Sequence, residues 1–113
     1  MEDDALIRMG VAEALRNAGY IVIEACNAAE AMDVVLSGIA PDVLFADVML
    51  PGHVDGLQLA ALLERLIPGL IVVIASGRFM PDDLRLKVNF LRKPFGPETV
   101  VAHLARVAPP PRA

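Results

Sequence analysis

Three short, uninterrupted apolar runs constrain this chain more than any other feature. They are Val43-Leu44-Phe45-Ala46, Leu70 to Ala75, and Phe90-Leu91. The first ends in Asp47, the second in Ser76-Gly77, and the third leads to Lys93-Pro94. A strand that is apolar at every position is buried on both faces, which is the habit of parallel strands covered by helices. The segments between the runs carry apolar residues at helical spacing. Strand and helix therefore alternate, which predicts an α/β domain with a doubly wound parallel sheet flanked by helices. Parallel strands present their carboxyl ends along one edge, and open α/β sheets bind ligands in the crevice outside that edge.

The rest of the chain fits this alternation. Asp3 and Asp4 precede a helical pattern from Ala5 to Ala18, with Ile7, Val11, Ala14, Leu15 and Ala18 on one face. Gly19 suits its stop. Tyr20 to Ala25 reads as a strand, and Asn27 as the cap of a helix from Ala28 to Leu36. A helix over about Leu57 to Leu66 presents Leu59, Leu62, Leu63 and Leu66, and Pro68-Gly69 ends it. Val88 to Arg92 completes the third apolar run as a strand. Pro97 opens a last helix with the stripe Val100, Leu104, Val107. Residues 1–108 read as one domain and residues 109–113 as a Pro-rich tail or linker.

Length and composition narrow the class. A chain of 113 residues suits one domain. Mean hydropathy is +0.55, yet no apolar run approaches a membrane span. The acidic N-terminus lacks the pattern of a secretory signal. A net charge of −4 argues against nonspecific nucleic-acid binding by this domain. Cys26 is the single cysteine, so no intrachain disulfide and no paired-cysteine metal site forms. These features fit a cytoplasmic protein.

At the predicted sheet edge the residue types suggest a chemistry. Glu2, Asp3 and Asp47 are three acids, Ser76 a hydroxyl and Lys93 an amine. Acids that hold a cation, a nucleophilic carboxylate, and a hydroxyl plus ammonium that neutralise anionic oxygens make a phosphoryl-transfer site. Taken singly, each has a plainer role. Asp47 is an acid after a strand, Ser76 a strand-end turn residue, Lys93 a solvated turn lysine, and Phe90 a core residue. Glu2 and Asp3 favour the positive end of the first helix. His53 and His103 read as exposed and lack metal-ligand spacing, and Cys26 reads as packed and inert.

Four motifs in this order resemble the receiver domain of two-component response regulators, the chemotaxis-regulator-like fold. They are Glu2-Asp3, Asp47-Val48-Met49-Leu50-Pro51-Gly52, Ser76-Gly77, and Phe90-Leu91-Arg92-Lys93-Pro94-Phe95. The resemblance covers nearly the whole chain. It implies a five-stranded sheet of order 2-1-3-4-5, with Asp47 as phosphoacceptor. It implies Mg²⁺ bound by Asp3, Asp47 and the Met49 backbone carbonyl, with Glu2 reaching the metal through water. Ser76 and Lys93 would hold the phosphoryl group, and Phe90 would change rotamer as Ser76 moves. The Lys93–Pro94 peptide is expected to be cis. Met49 and Arg78 would gate the hydrolytic water. The implied partners are a sensor histidine kinase or histidine phosphotransfer protein and a downstream protein. The implied chemistry is self-phosphorylation and self-dephosphorylation at Asp47, not that of an enzyme acting on other substrates.

The chain departs from that family in three places. Only Met1 remains of the central first strand, which reads as an incomplete N-terminus, or as a place filled from another chain in a homodimer. The segment from Ser76 to Lys93 is short, so the fourth helix is expected to be stunted or absent. The loop after Asp47 carries an extra residue near His53-Val54, as in receivers found as single domains or fused to hybrid kinases. The alternative reading is a degenerate receiver acting as a phosphorylation-independent interaction or dimerisation module. An aspartyl phosphatase is disfavoured because Met49 stands where a second acid is wanted. A flavin protein is disfavoured by 4% aromatic content and the lack of a phosphate-cradling loop.

Overall fold

The computed structural model describes residues 1–2, 4–47, 55–76 and 88–110. Among them the chain alternates as α1 (Ala5–Asn17), α2 (Ala28–Leu36), β1 (Val43–Asp47), α3 (Asp55–Leu66), β2 (Ile71–Ser76), β3 (Val88–Arg92) and α4 (Pro97–Val107). Local chemistry sets the helix ends. The Asp4 carboxylate accepts from the Leu6 and Ile7 N–H groups at 2.9 and 3.1 Å, capping α1. Gly19, at φ 101°, turns the chain out of α1 through a conformation that side chains resist. At α2, Asn27 Oδ1 accepts from the Glu30 N–H at 2.8 Å, and Glu30 Oε1 accepts from the Cys26 N–H at 2.8 Å. Pro97 occupies the first turn of α4, where its missing N–H has no partner to lose.

The described strands form one parallel sheet of order β1-β2-β3. Val43 to Asp47 align with Ile71 to Ala75, and Val72 to Ser76 align with Val88 to Arg92. β2 lies between its two neighbours and is buried from Val72 through Ser76. That explains its unbroken apolar run. Alternation along β1 sends Leu44 and Ala46 into a cluster with Ala31 of α2 and Leu59, Ala60 and Leu63 of α3. Val43 and Phe45 pack instead against Val11 and Leu15 of α1 and Val100 and Leu104 of α4. The sheet is thus covered on both faces. The rings of Phe45 and Phe95 meet edge-to-face, with centroids 6.3 Å apart.

One predicted element did not form. Tyr20 to Ala25 carries strand residues but pairs into no ladder. In the order 2-1-3-4-5 its partner is the first strand. Met1 donates its amine to the Phe45 carbonyl and accepts from the Asp47 N–H at 2.9 Å. Glu2 donates its N–H to the Ala25 carbonyl at 3.0 Å. The sheet has three strands among the described residues. The expected shortening of the fourth helix and the extra loop residue near His53 lie outside the described residues. His103, expected to be exposed, is half-buried on α4.

Packing predicts a sharp contrast between neighbours on α3. Leu63 is 1% exposed and Leu62 43% exposed. Leu63→Ala is expected to lower stability in urea denaturation by about 2–5 kcal/mol, and Leu62→Ala by no more than about 0.5 kcal/mol. Asp4→Ala, which uncaps α1, is expected to lower it by about 1 kcal/mol.

Candidate phosphoacceptor site

The carboxyl ends of the three strands bring the predicted chemistry together. Asp47 is the last residue of β1 and Ser76 the last of β2, and Lys93 follows β3 directly. Asp47 is aligned with Ala75, so Ser76 lies one residue beyond it on the neighbouring strand. The Lys93 N–H donates to the Ser76 carbonyl at 2.9 Å, which extends the β2–β3 ladder to the lysine. The Lys93–Pro94 peptide is cis, as the resemblance implied. Lys93 Nζ lies 2.8 Å from Asp47 Oδ1. Phe90, aligned with Ile74, is half-buried against the cluster of α2 and α3.

Three polar residues are buried here, Glu2, Asp47 and Ser76, each 6% exposed. Buried charge is unfavourable unless it is paired. The Lys93 ammonium offsets Asp47. Glu2 has weaker support, since Glu2 Oε1 accepts only the Asp4 N–H at 3.1 Å from the backbone. Burial, then a hydrogen bond with the Asp47 carboxyl, pushes the Glu2 carboxyl up to about 7. Burial also pushes the Met1 amine down to about 6. The raised Glu2 carboxyl beside Asp47 is an arrangement that a cation would relieve.

Asp3, Met49 and Arg78 lie outside the described residues. No group of three or more His, Cys, Asp or Glu is assembled among the described ones. What they supply is a pair of buried carboxylates, Glu2 and Asp47, and Asp47 Oδ1 accepts no aligned hydrogen bond. That donor set fits Mg²⁺, which takes one or two carboxylates and keeps several waters. Sequence reasoning did not foresee the raised Glu2 carboxyl beside Asp47. It arises because the Met1 stub pairs with β1 and carries Glu2 to the Asp47 end. Elsewhere Cys26 behaves as expected of an inert thiol, because its hydrogen bond with Glu30 pushes it up.

A family model described as response regulator receiver domain matches residues 1–105. The chain belongs to this receiver-domain family. The chain is 36% identical over 115 residues to the phosphate regulon transcriptional regulatory protein PhoB of Pseudomonas aeruginosa, covering 95% of this chain and 49% of PhoB. It is 34% identical over 103 residues to the sensor kinase CckA of Brucella abortus, covering 84% of this chain and 11% of CckA. The receiver thus spans about half of one relative and about a tenth of the other. Among solved structures, the Vibrio cholerae chemotaxis protein CheY4 superposes with a TM-score of 0.79 at 25% identity, covering 94% of this chain and 92% of that one.

The raised Glu2 carboxyl makes receiver stability depend on pH. Folded Glu2 holds its proton more tightly than in the unfolded chain, where 4.5 is ordinary. Its stabilising contribution is therefore full below 4.5 and lost as pH rises through about 7. The Met1 amine, lowered from 8.0, acts oppositely and restores stability between about 6 and 8. In metal-free protein, urea denaturation at pH 5 and pH 7 is expected to show a loss on the order of 2 kcal/mol from Glu2. Glu2→Gln is expected to abolish that loss, and Mg²⁺ to reduce it in wild type.

Proposed function

We propose that this receiver is a phosphoacceptor switch in a two-component phosphorelay, with Asp47 as the residue modified. The ion pair of Lys93 and Asp47 at the carboxyl edge of the sheet carries this reading. An Asp47 carboxylate oxygen attacks the phosphorus of a phosphohistidine on a sensor kinase or phosphotransfer protein. The P–N bond breaks, its electron pair returns to the imidazole, and an acyl phosphate forms on Asp47. Mg²⁺ would be held by Asp3, Asp47 and the Met49 carbonyl, with Glu2 reaching it through water, and would neutralise charge on the transferring group. The Lys93 ammonium turns from the Asp47 carboxylate to a phosphoryl oxygen. Ser76 donates its hydroxyl to another.

A phosphoryl group adds charge and three acceptor oxygens, and so draws Ser76 and Lys93 toward it. Phe90 then takes the space that Ser76 leaves, and the altered face of the sheet edge meets a downstream protein. Water, gated by Met49 and Arg78, later cleaves the acyl phosphate and returns the carboxylate. The domain works in the cytoplasm and acts on no substrate but its own aspartate. No described helix is long and apolar enough to cross a membrane.

A second reading is a receiver whose contacts are independent of phosphorylation. The two separate on intact mass after incubation with Mg²⁺ and acetyl phosphate. Wild type is expected to gain one phosphoryl group, and Asp47→Asn none. Removal of Mg²⁺ is expected to slow uptake at least tenfold. Equal uptake by wild type and Asp47→Asn would sink the phosphoacceptor reading, and no uptake by folded wild type would favour the second.

A further inference from the structure

Arg8 of α1 is bonded to the backbone that carries the acids. Its Nη1 donates to the Glu2 carbonyl at 3.0 Å. Its Nε lies 3.5 Å from Glu24 Oε1. Ala25, next to Glu24 in sequence, accepts the Glu2 N–H at 3.0 Å. Glu2, Arg8 and the Glu24–Ala25 pair thus close a ring. The polar parts of Glu2 are held one by one: its N–H by Ala25, its carbonyl by Arg8, and its Oε1 by the Asp4 N–H at 3.1 Å. Glu2 is 6% exposed, and a buried carbonyl needs a donor. That carbonyl belongs to the planar peptide that leads into Asp3. Arg8 therefore bonds the link between the two acids.

The chemistry of the side chain suits the task. A guanidinium is a planar fork of five N–H donors, so it can bond a carbonyl and a carboxylate at once, where a lysine ammonium is a compact point charge. A bare cation beside a metal site would oppose the metal. Glu24 offsets that charge, with Oε1 toward Arg8 and Oε2 accepting from Arg16 at 3.1 Å. The two arginines differ in what else they reach. Arg16 is 49% exposed and donates to the Val22 carbonyl at 2.9 Å, whereas Arg8 is 23% exposed and donates to Glu2. The same carboxylate thus has one arginine turned toward the acids and one turned away.

We propose that Arg8 is a positioning residue for the metal-binding acids. It fixes the Glu2–Asp3 peptide, so that Asp3 as a ligand and Glu2 through water meet Mg²⁺ with little further ordering. Arg8 acts through Glu2 and touches neither the metal nor the phosphoryl group. This role rests on the phosphoacceptor reading and adds to it a residue that determines metal affinity.

The test uses the full chain, with Mg²⁺ affinity read by calorimetry and Glu2 amide exchange read in metal-free protein. Arg8→Ala is expected to weaken Mg²⁺ binding about tenfold and to speed exchange of the Glu2 amide on the order of tenfold. Arg8→Lys keeps the charge but not the fork. It is expected to bind Mg²⁺ roughly threefold or more weakly than wild type, and it carries the comparison alone if Arg8→Ala does not fold. Arg16→Ala also loses a bond to Glu24 but none to Glu2, and is expected to leave Mg²⁺ affinity unchanged. Wild-type affinity in Arg8→Ala, full recovery in Arg8→Lys, or an equal loss in Arg16→Ala would each overturn the role of Arg8 while leaving the phosphoacceptor reading intact. A folded wild type that binds no Mg²⁺ would overturn this proposal together with the metal in that reading. Wild type that binds Mg²⁺ but takes up no phosphoryl group would count against the phosphoacceptor reading alone.

Discussion

The parallel pairing of β2 to both neighbours is the constraint on which the molecule depends. β2 is buried from Val72 to Ser76 and pairs on both edges. A strand so placed has no solvated face and no free edge, so its residues must be apolar and its backbone groups satisfied by ladders. Because both ladders are parallel, the ends of β1, β2 and β3 reach the same edge. Asp47, Ser76 and Lys93 lie far apart in sequence and meet because of that alignment alone.

Putting polar groups at the end of an apolar sheet has an electrostatic consequence. Asp47 and Glu2 are both nearly buried, and the Lys93 ammonium stands against Asp47. The arrangement answers in two ways. Lys93 is held 2.8 Å from Asp47, and Glu2 keeps a proton to near neutrality. The end of the sheet thus holds two buried carboxylates, one paired with Lys93 and one with its proton affinity raised.

β1 pairs with β2 along one edge, and on the other Phe45 and Asp47 bond with Met1. The Tyr20–Ala25 segment has suitable side chains but pairs into no ladder among the described residues, so local preference alone does not make it a strand. Its apolar side chains are left exposed or lining a cleft, held in place by Arg16, which donates to the Val22 carbonyl at 2.9 Å, and by the Tyr20 hydroxyl, which donates to the Ala108 carbonyl at 2.7 Å.

The helices, the buried strands, and the identity of Asp47, Ser76 and Lys93 were legible in the sequence. Each rests on short-range physics: caps at Asp4 and Asn27, helical spacing in Val11 and Leu15, and an unbroken apolar run from Leu70 to Ala75. The absence of a ladder at Tyr20 to Ala25 was not legible, because pairing depends on a partner that local residues do not encode. Nor was the raised Glu2 carboxyl, since the residue is not unusual by itself. By itself the sequence determined which segments become helix or buried strand and which polar residues stand at the strand ends. Only the tertiary structure decided which backbone groups find partners and which charges share a buried volume, because both depend on neighbours remote in sequence and on the exclusion of water between them.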